Sequence, residues 1–238
     1  MALPKINHPT FSLELISSGK TIRYRPFTVK EEKILLVAQS SQDRTQIIEA
    51  IRQVISMCVI NEDFDVNKIP SFDLEYIFIN LRSKSVNNIV EIVLRDNEDE
   101  KDYTFEVNLD EIKIVKKENH TKKIQIMDDL GIVMRYPNFN EANMLFDDSD
   151  DEDYVTSMLK MISRCIDVIY QGEKLYKAGE DFTEEEAFNF INELPVDSSD
   201  KFREFFDNFP EIEYVIEYKN SLGNDRTYKL TGINSFFF

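Results

Sequence analysis

The sequence predicts an α+β protein, with strands at both ends and in the middle and helices between them. Apolar and polar residues alternate in two short runs near the N-terminus, in five runs between Ile89 and Arg135, and in two near the C-terminus. Between these runs, apolar residues recur at three- and four-residue spacing, the signature of helices with one buried face. With 42% apolar and 31% charged residues over 238 positions, and only six glycines and seven prolines, the chain has enough apolar surface to bury a core.

The first element is a hairpin. Phe11, Leu13 and Leu15 alternate with Ser12 and Glu14, Ser17-Ser-Gly-Lys20 turns the chain, and Ile22 and Tyr24 alternate with Arg23 and Arg25 before Pro26 ends the strand. A helix is expected from about Val29, with Glu31 and Glu32 in its first turn, where negative charge suits the helix dipole. Ile47, Ile51, Val54, Ile55 and Cys58 define a second helix, with Glu49, Arg52 and Gln53 expected on its wet face. A third follows Pro70. Ser71 is the expected cap, Asp73 and Glu75 fall in the first turn, and Arg82 and Lys84 in the last. Leu74, Ile77, Phe78 and Leu81 form its apolar stripe, which Phe72, Tyr76 and Ile79 widen to most of the circumference.

Five strands are then expected: Ile89–Leu94, Tyr103–Leu109, Ile112–Val115, Ile124–Met127 and Ile132–Arg135. Charged loops at Asp96–Asp102 and Lys116–Lys123 join them, which suggests an antiparallel meander. The run Asp147–Asp153 is the sharpest change in composition. It lacks the glycine and glutamate that a calcium-binding EF-hand loop requires, so it is expected to be a solvated linker. This divides the chain into an α+β portion (1–146), an acidic linker (147–153) and a helical portion (154–238) ending in a hairpin. In that last portion, Val155, Met158, Leu159, Ile162, Cys165, Ile166 and Ile169 share a helical face. Thr183 and Glu186 form a capping box ahead of Phe188, Phe190 and Ile191, and a helix after Pro195 carries Phe202, Phe205, Phe206 and Phe209. Ile212, Tyr214, Ile216 and Tyr218 alternate with polar residues, and a turn at Gly223 leads to Thr227–Thr231.

The formal net charge is −17, from 28 Lys/Arg and 45 Asp/Glu, but residues 1–60 hold eight basic against five acidic side chains. An acidic body repels phosphates, so general nucleic-acid binding is not expected. The longest apolar run, Ile34 to Ala38, is far too short to span a membrane, and Met1 to Lys5 does not open a signal peptide. A soluble intracellular protein is expected. Cys58 and Cys165 sit on apolar stripes and read as free core thiols. No catalytic signature stands out. Gly172 and Gly179 have the wrong spacing for a phosphate cradle, and no Gly-x-Ser-x-Gly elbow occurs. The two histidines, His8 and His120, fall in irregular segments, and with 45 carboxylates an acid pair carries no information. No catalytic residue, cofactor, metal site or small-molecule substrate is therefore expected.

Several of these segments also carry a family resemblance. Leu3-Pro-Lys, Arg23-Tyr-Arg-Pro-Phe27 and Val29-Lys-Glu-Glu-Lys-Ile-Leu-Leu36 resemble the start of the T-even-type myophage baseplate hub family. Phe72-Asp-x-Glu-Tyr-x-Phe78 with Leu81-Arg-Ser-Lys-Ser85, Tyr136-Pro137, Cys165-Ile166 and the ending Leu230-Thr-Gly-Ile-Asn-Ser-Phe-Phe237 fit it too. Asn87-Asn88 departs from the Gly-Glu of relatives, and no cysteine occurs in the hairpin near Arg95, so a metal-bound form of that hairpin is unsupported. The resemblance implies a non-enzymatic phage tail protein that acts in baseplate hub assembly by binding other hub or tail proteins. It would be a structural subunit or an assembly chaperone, at work in the host cytoplasm and, as a subunit, in the virion tail baseplate. A tail-associated hydrolase and a host-side adaptor are the alternatives.

Three sets of residues are candidates for partner contacts. Arg23, Arg25, Lys30 and Lys33 form a basic set suited to an acidic partner, or else a solvated face. Phe72, Tyr76 and Ile79 extend the third helix's apolar surface, either toward a partner or into the core. Phe236, Phe237 and Phe238 either dock on the helix bearing Phe202, Phe205, Phe206 and Phe209 or plug into a hub partner.

Overall fold

Alternating and helically spaced segments fold as expected in kind, and the α+β class holds. The computed structural model describes residues 6–117, 120–138, 141 and 154–237. The acidic segment 147–153, the side chain of Phe237, and Phe238 lie outside that description. Two compact units divide the chain, Met1–Val115 with Glu211–Phe238, and Lys116–Pro210. The division therefore runs at 115/116 and 210/211 instead of at the acidic segment, because the last hairpin returns to the N-terminal unit.

In the first unit, β1 (Phe11–Glu14) and β2 (Thr21–Tyr24) pair antiparallel, with Phe11 opposite Tyr24. Tyr24 also bridges to Val59, just beyond the second helix, and the Arg25 N–H donates to the Cys58 carbonyl at 3.0 Å. The helices α1 (Val29–Ser41), α2 (Arg44–Cys58) and α3 (Ser71–Ser85) follow. Pro70, not Ser71, occupies the N-cap of α3. Asp73 does more than complement the helix dipole. It is fully buried and accepts hydrogen bonds from the N–H groups of Ile16 (3.0 Å) and Ser17 (3.3 Å) and from the Ser17 hydroxyl, which ties the β1–β2 turn to α3. Arg52, expected on a wet face, is buried on α2, where Glu49 and Asn67 accept its hydrogen bonds. A guanidinium with carboxylate and amide partners is tolerated there.

The remaining strands of this unit are β3 (Ile89–Arg95), β4 (Asp102–Asn108), β5 (Lys113–Val115) and, after the inserted unit, the pair that forms the last hairpin. β3 pairs with β4 alone, so the expected strands do not make one meander. β5 instead pairs antiparallel with the first strand of the last hairpin, placing Ile114 opposite Ile212. Ile79, Ile92, Leu94, Val107, Ile212 and Leu230 share one buried cluster with Phe236.

The second unit holds β6 (Lys123–Gln125), β7 (Leu130–Met134), α4 (Tyr154–Cys165), β8 (Ile166–Gln171) and β9 (Lys174–Lys177). Helices α5 (Glu184–Asn192) and α6 (Ser198–Asp207) complete it. The four strands form one antiparallel sheet in sequence order. The apolar stripe running to Ile169 reads as one helix, but the helix ends at Cys165 and Ile166 opens a strand. Ile166, Val168 and Ile169 are β-branched, and pairing on both sides (Ile132 opposite Ile169, Ile169 opposite Tyr176) overrides the helical pattern. The portion after 154 is thus mixed, not helical. Gly131 lies opposite Tyr170, whose ring occupies the space a Cβ would need. The capping box forms as expected, with the Thr183 N–H donating to the Glu186 carboxylate at 2.8 Å and the Glu186 N–H to the Thr183 hydroxyl at 3.2 Å.

The last hairpin, β10 (Glu211–Lys219) and β11 (Asp225–Thr231), belongs to the first unit's three-stranded sheet. Gly232, at φ +65°, turns the chain into the short α7 (Asn234–Phe237). Phe236 is 5% exposed and packs with Ile79 and Leu230 of its own unit, where the sequence suggested docking on the helix bearing Phe202, Phe205, Phe206 and Phe209. The reason is connectivity: β11 ends beside β10, and a single turn at Gly232 carries the tail toward Glu75 of α3. Phe236→Ala is expected to cost about 3–5 kcal/mol in denaturant unfolding of the first unit, the usual range for emptying a buried phenylalanine site. A loss below about 1 kcal/mol would mean the ring is not part of this core.

Candidate partner interface

Helix α1 begins where Thr28 takes extended backbone angles as N-cap and donates its N–H to the Glu31 carboxylate at 2.7 Å. The helix is apolar on more than one side, with Ile34 and Leu35 half-buried on its inner face. Its buried residues are Glu31 and Ala38, while Val29, Leu36 and Val37 are 79%, 55% and 63% exposed. Arg25 is what lets Glu31 be enclosed on that inner face. Its guanidinium donates to Glu31 at 3.0 Å, to the Met57 carbonyl at 3.2 Å and to the Pro26 carbonyl at 2.9 Å, fixing a charged pair under the first turn. Burial by itself would raise the Glu31 pKa, but hydrogen bonds from Arg25 and Thr28 outweigh it and hold the carboxyl down at about 2.

A cleft of about 440 Å³ lies beside this helix, lined by Leu35, Leu36, Phe78, Arg82, Ile89 and Phe236 among others. Arg82 is half-buried there and donates to the Asn87 carbonyl at 3.3 Å. Burial lowers its pKa while the nearby Glu32 works the other way.

The basic set is therefore split by the fold. Arg25 is a structural side chain committed to Glu31 and leaves the partner-contact set. Arg23 is exposed on β2, with its backbone bonded to Asn61 and Ile60. Lys30 and Lys33 are exposed on α1 and form no ion pair among the described residues. Phe72 and Ile79 are core residues at 4% and 0% exposure, so neither offers a surface to a partner, because α3 is enclosed on those sides. Tyr76 is half-buried and packs against the cluster that holds Ile79. Phe236 is likewise a core side chain and is not brought to the basic set's exposed face. Sequence reasoning missed Val29, Leu36 and Val37. The signal was present in the unbroken run Ile34 to Ala38, since five consecutive apolar residues wrap a helix completely and cannot all face one core.

Of the nucleophile and base candidates, His8 is exposed and the other three occupy packed positions. Cys58 and Cys165 are buried free thiols, and burial pushes their pKa values up to about 11 and about 12. His120 packs against both Tyr136 and Phe205, whose rings also pack on each other, with Nε2 3.0 Å from the Tyr136 hydroxyl. Burial, then Lys116 and Lys122, lower its pKa. Among the described residues no group of three His, Cys, Asp or Glu side chains gathers to hold a metal ion, and no helix is long and apolar enough to cross a membrane.

The Arg25–Glu31 pair makes a pH prediction. Because the folded-state pKa of Glu31 lies below its ordinary 4.5, its contribution is complete above that value and is lost as pH falls toward about 2. Chemical denaturation between pH 6 and pH 2 is expected to show Glu31→Gln flattening the acid-side loss by about 2–3 kcal/mol relative to the parent chain. Identical pH profiles for the two proteins would show that the pair does not hold α1.

Comparison with known proteins bears on these surfaces. Residues 8–238 match a family described as T4 bacteriophage base plate protein. No curated protein sequence and no solved structure matches the chain. The family match takes in both compact units and helix α1, and on that ground the chain belongs to the T4 bacteriophage base plate protein family.

Proposed function

We propose that this baseplate-family chain acts in assembly of the tail's hub by binding other tail proteins, as a hub subunit or as a chaperone of hub assembly, without catalysing a reaction. The outer face of α1 carries this reading. Three large aliphatic side chains stand in water there, interleaved with two lysines that have no ion-pair partner among the described residues. Covering each aliphatic side chain contributes on the order of 1 kcal/mol to association, and the lysines steer an acidic partner in. Arg23 adds to that positive field, whereas Arg25 does not, being neutralised by Glu31. The rest of the chain is strongly acidic, so a local basic face sets the orientation of encounter. The work is done in the host cytoplasm during assembly; a subunit then stays in the finished baseplate, and a chaperone leaves.

The test combines charge and apolar variants. Lys30→Glu with Lys33→Glu is expected to slow association with hub proteins about tenfold at low salt, and the difference shrinks as screening rises. Leu36→Asp is expected to speed dissociation and to reduce hub yield in complementation of a phage lacking the gene. Both variants should unfold within about 0.5 kcal/mol of the parent, because the positions are exposed. Normal hub yields and salt-independent rates for both would sink the reading. Peptide abundance in purified virions then separates subunit from chaperone.

A further inference from the structure

The β3–β4 ribbon has an open side. Backbone bonds at its two ends, Asp96 N–H to Lys101 O at 2.9 Å and Leu109 N–H to Asn88 O at 2.7 Å, set the hydrogen-bonding parity of the ladder. Even-numbered residues of β3 bond to β4, so the N–H and C=O groups of Ile89, Glu91, Val93 and Arg95 point away from it. Ile89 N–H is met by the Asn87 side chain at 3.2 Å. No hydrogen bond meets the N–H of Glu91 or Val93 among the described residues, and β3 has no second strand neighbour. The same four residues present exposed side chains, with Val93 at 59%.

The ribbon is held firmly enough to act as a template. Asp96, at the end of β3, accepts hydrogen bonds from the Tyr218 hydroxyl at 2.5 Å and Arg226 Nε at 3.0 Å. Asn224 donates to Glu98 at 2.7 Å and Ser221 N–H to Asp99 at 3.0 Å, which locks the β3–β4 loop to the β10–β11 turn. The open edge therefore does not depend on a mobile loop.

The charges on this edge are self-complementary. Glu91 and Arg95 lie on one face, two residues either side of Val93. In an antiparallel pair centred on Val93, each Glu91 falls directly opposite an Arg95, and every outward backbone group of residues 91, 93 and 95 is matched. Centring on Glu91 would instead set two carboxylates face to face. Arg95 is available for the exchange, since its contact to Asp102 is 3.7 Å long and both side chains are well exposed. We propose that a second copy of this chain pairs with β3 along this edge, two-fold symmetric about Val93, with Glu91 of each copy opposite Arg95 of the other. Exposed Ile89 adds apolar surface beside the strands. One edge strand makes a small interface, so the dimer is expected to dissociate in the micromolar range, about 1–100 μM.

Sedimentation equilibrium of the full chain at low salt tests this directly. A monomer–dimer equilibrium in that range is expected, weakening with added salt. Glu91→Arg and Arg95→Glu, each of which sets like charges opposite one another, should raise the dissociation constant about tenfold or more. The double variant, Glu91→Arg with Arg95→Glu, should restore it. Amide exchange across residues 89–95 should slow as protein concentration rises. A chain that is monomeric throughout overturns the proposal. So does a dimer that ignores the single and double variants, since it forms through another surface. Protection of residues 89–95 appearing only when another baseplate protein is added assigns the edge to that protein and also overturns it. None of these results touches the hub reading, which rests on α1.

Discussion

Ile114 opposite Ile212 joins strands from the two ends of the inserted segment 116–210, and the first unit depends on that pairing. That pairing, with the bonds from Tyr218 and Arg226 to Asp96, seats the last hairpin so that Ile212, Ile216, Leu230 and Phe236 join the cluster around Ile79. Closing so long a loop is entropically tolerable, because the cost grows only with the logarithm of length. The pairing also explains why a whole second unit, with its own four-stranded sheet, is accommodated between two adjacent strands.

Charge is used in two distinct ways. Where a charged group is enclosed, several hydrogen bonds satisfy it: Asp73 accepts from the β1–β2 turn, Arg25 and Glu31 satisfy one another under α1, and Asp96 collects Tyr218 and Arg226. Removing one partner from such a set leaves an uncompensated charge, so these groups act as fixed points of the fold. Where charge is exposed, on α1 and β3, it is left without strong internal partners. The division separates groups that hold the fold from groups left to solvent.

The exposed apolar side chains follow from the same choice. Burying the Arg25–Glu31 pair under α1 turns Leu36 and Val37 outward, since residues five and six positions after Glu31 cannot share its face of the helix. The ion pair anchors the first turn, half-buried Ile34 and Leu35 pack the inner side, and the outer side keeps an exposed apolar surface.

Local sequence determined the kind of nearly every element. Alternation marked the first and last hairpins, though not β8 and β9, three- and four-residue spacing marked the helices, and Thr183 with Glu186 marked a cap that formed as read. These signals are legible because they arise within a few residues of each other. Tertiary structure alone decided which strands pair, since an isolated strand such as Lys113–Val115 carries nothing that distinguishes β4 from β10 as its neighbour. It also decided that Ile166 begins a strand, which pairs with β7 and, from Val168 on, with β9, and that Arg25 and Arg52 are enclosed while Lys30 and Lys33 are not. The candidate interface was half legible: its lysines could be named in advance, but not the inward turn of Glu31 that exposes Leu36 and Val37. A side chain's burial is set by what packs against it, and those neighbours are supplied by segments distant in the chain.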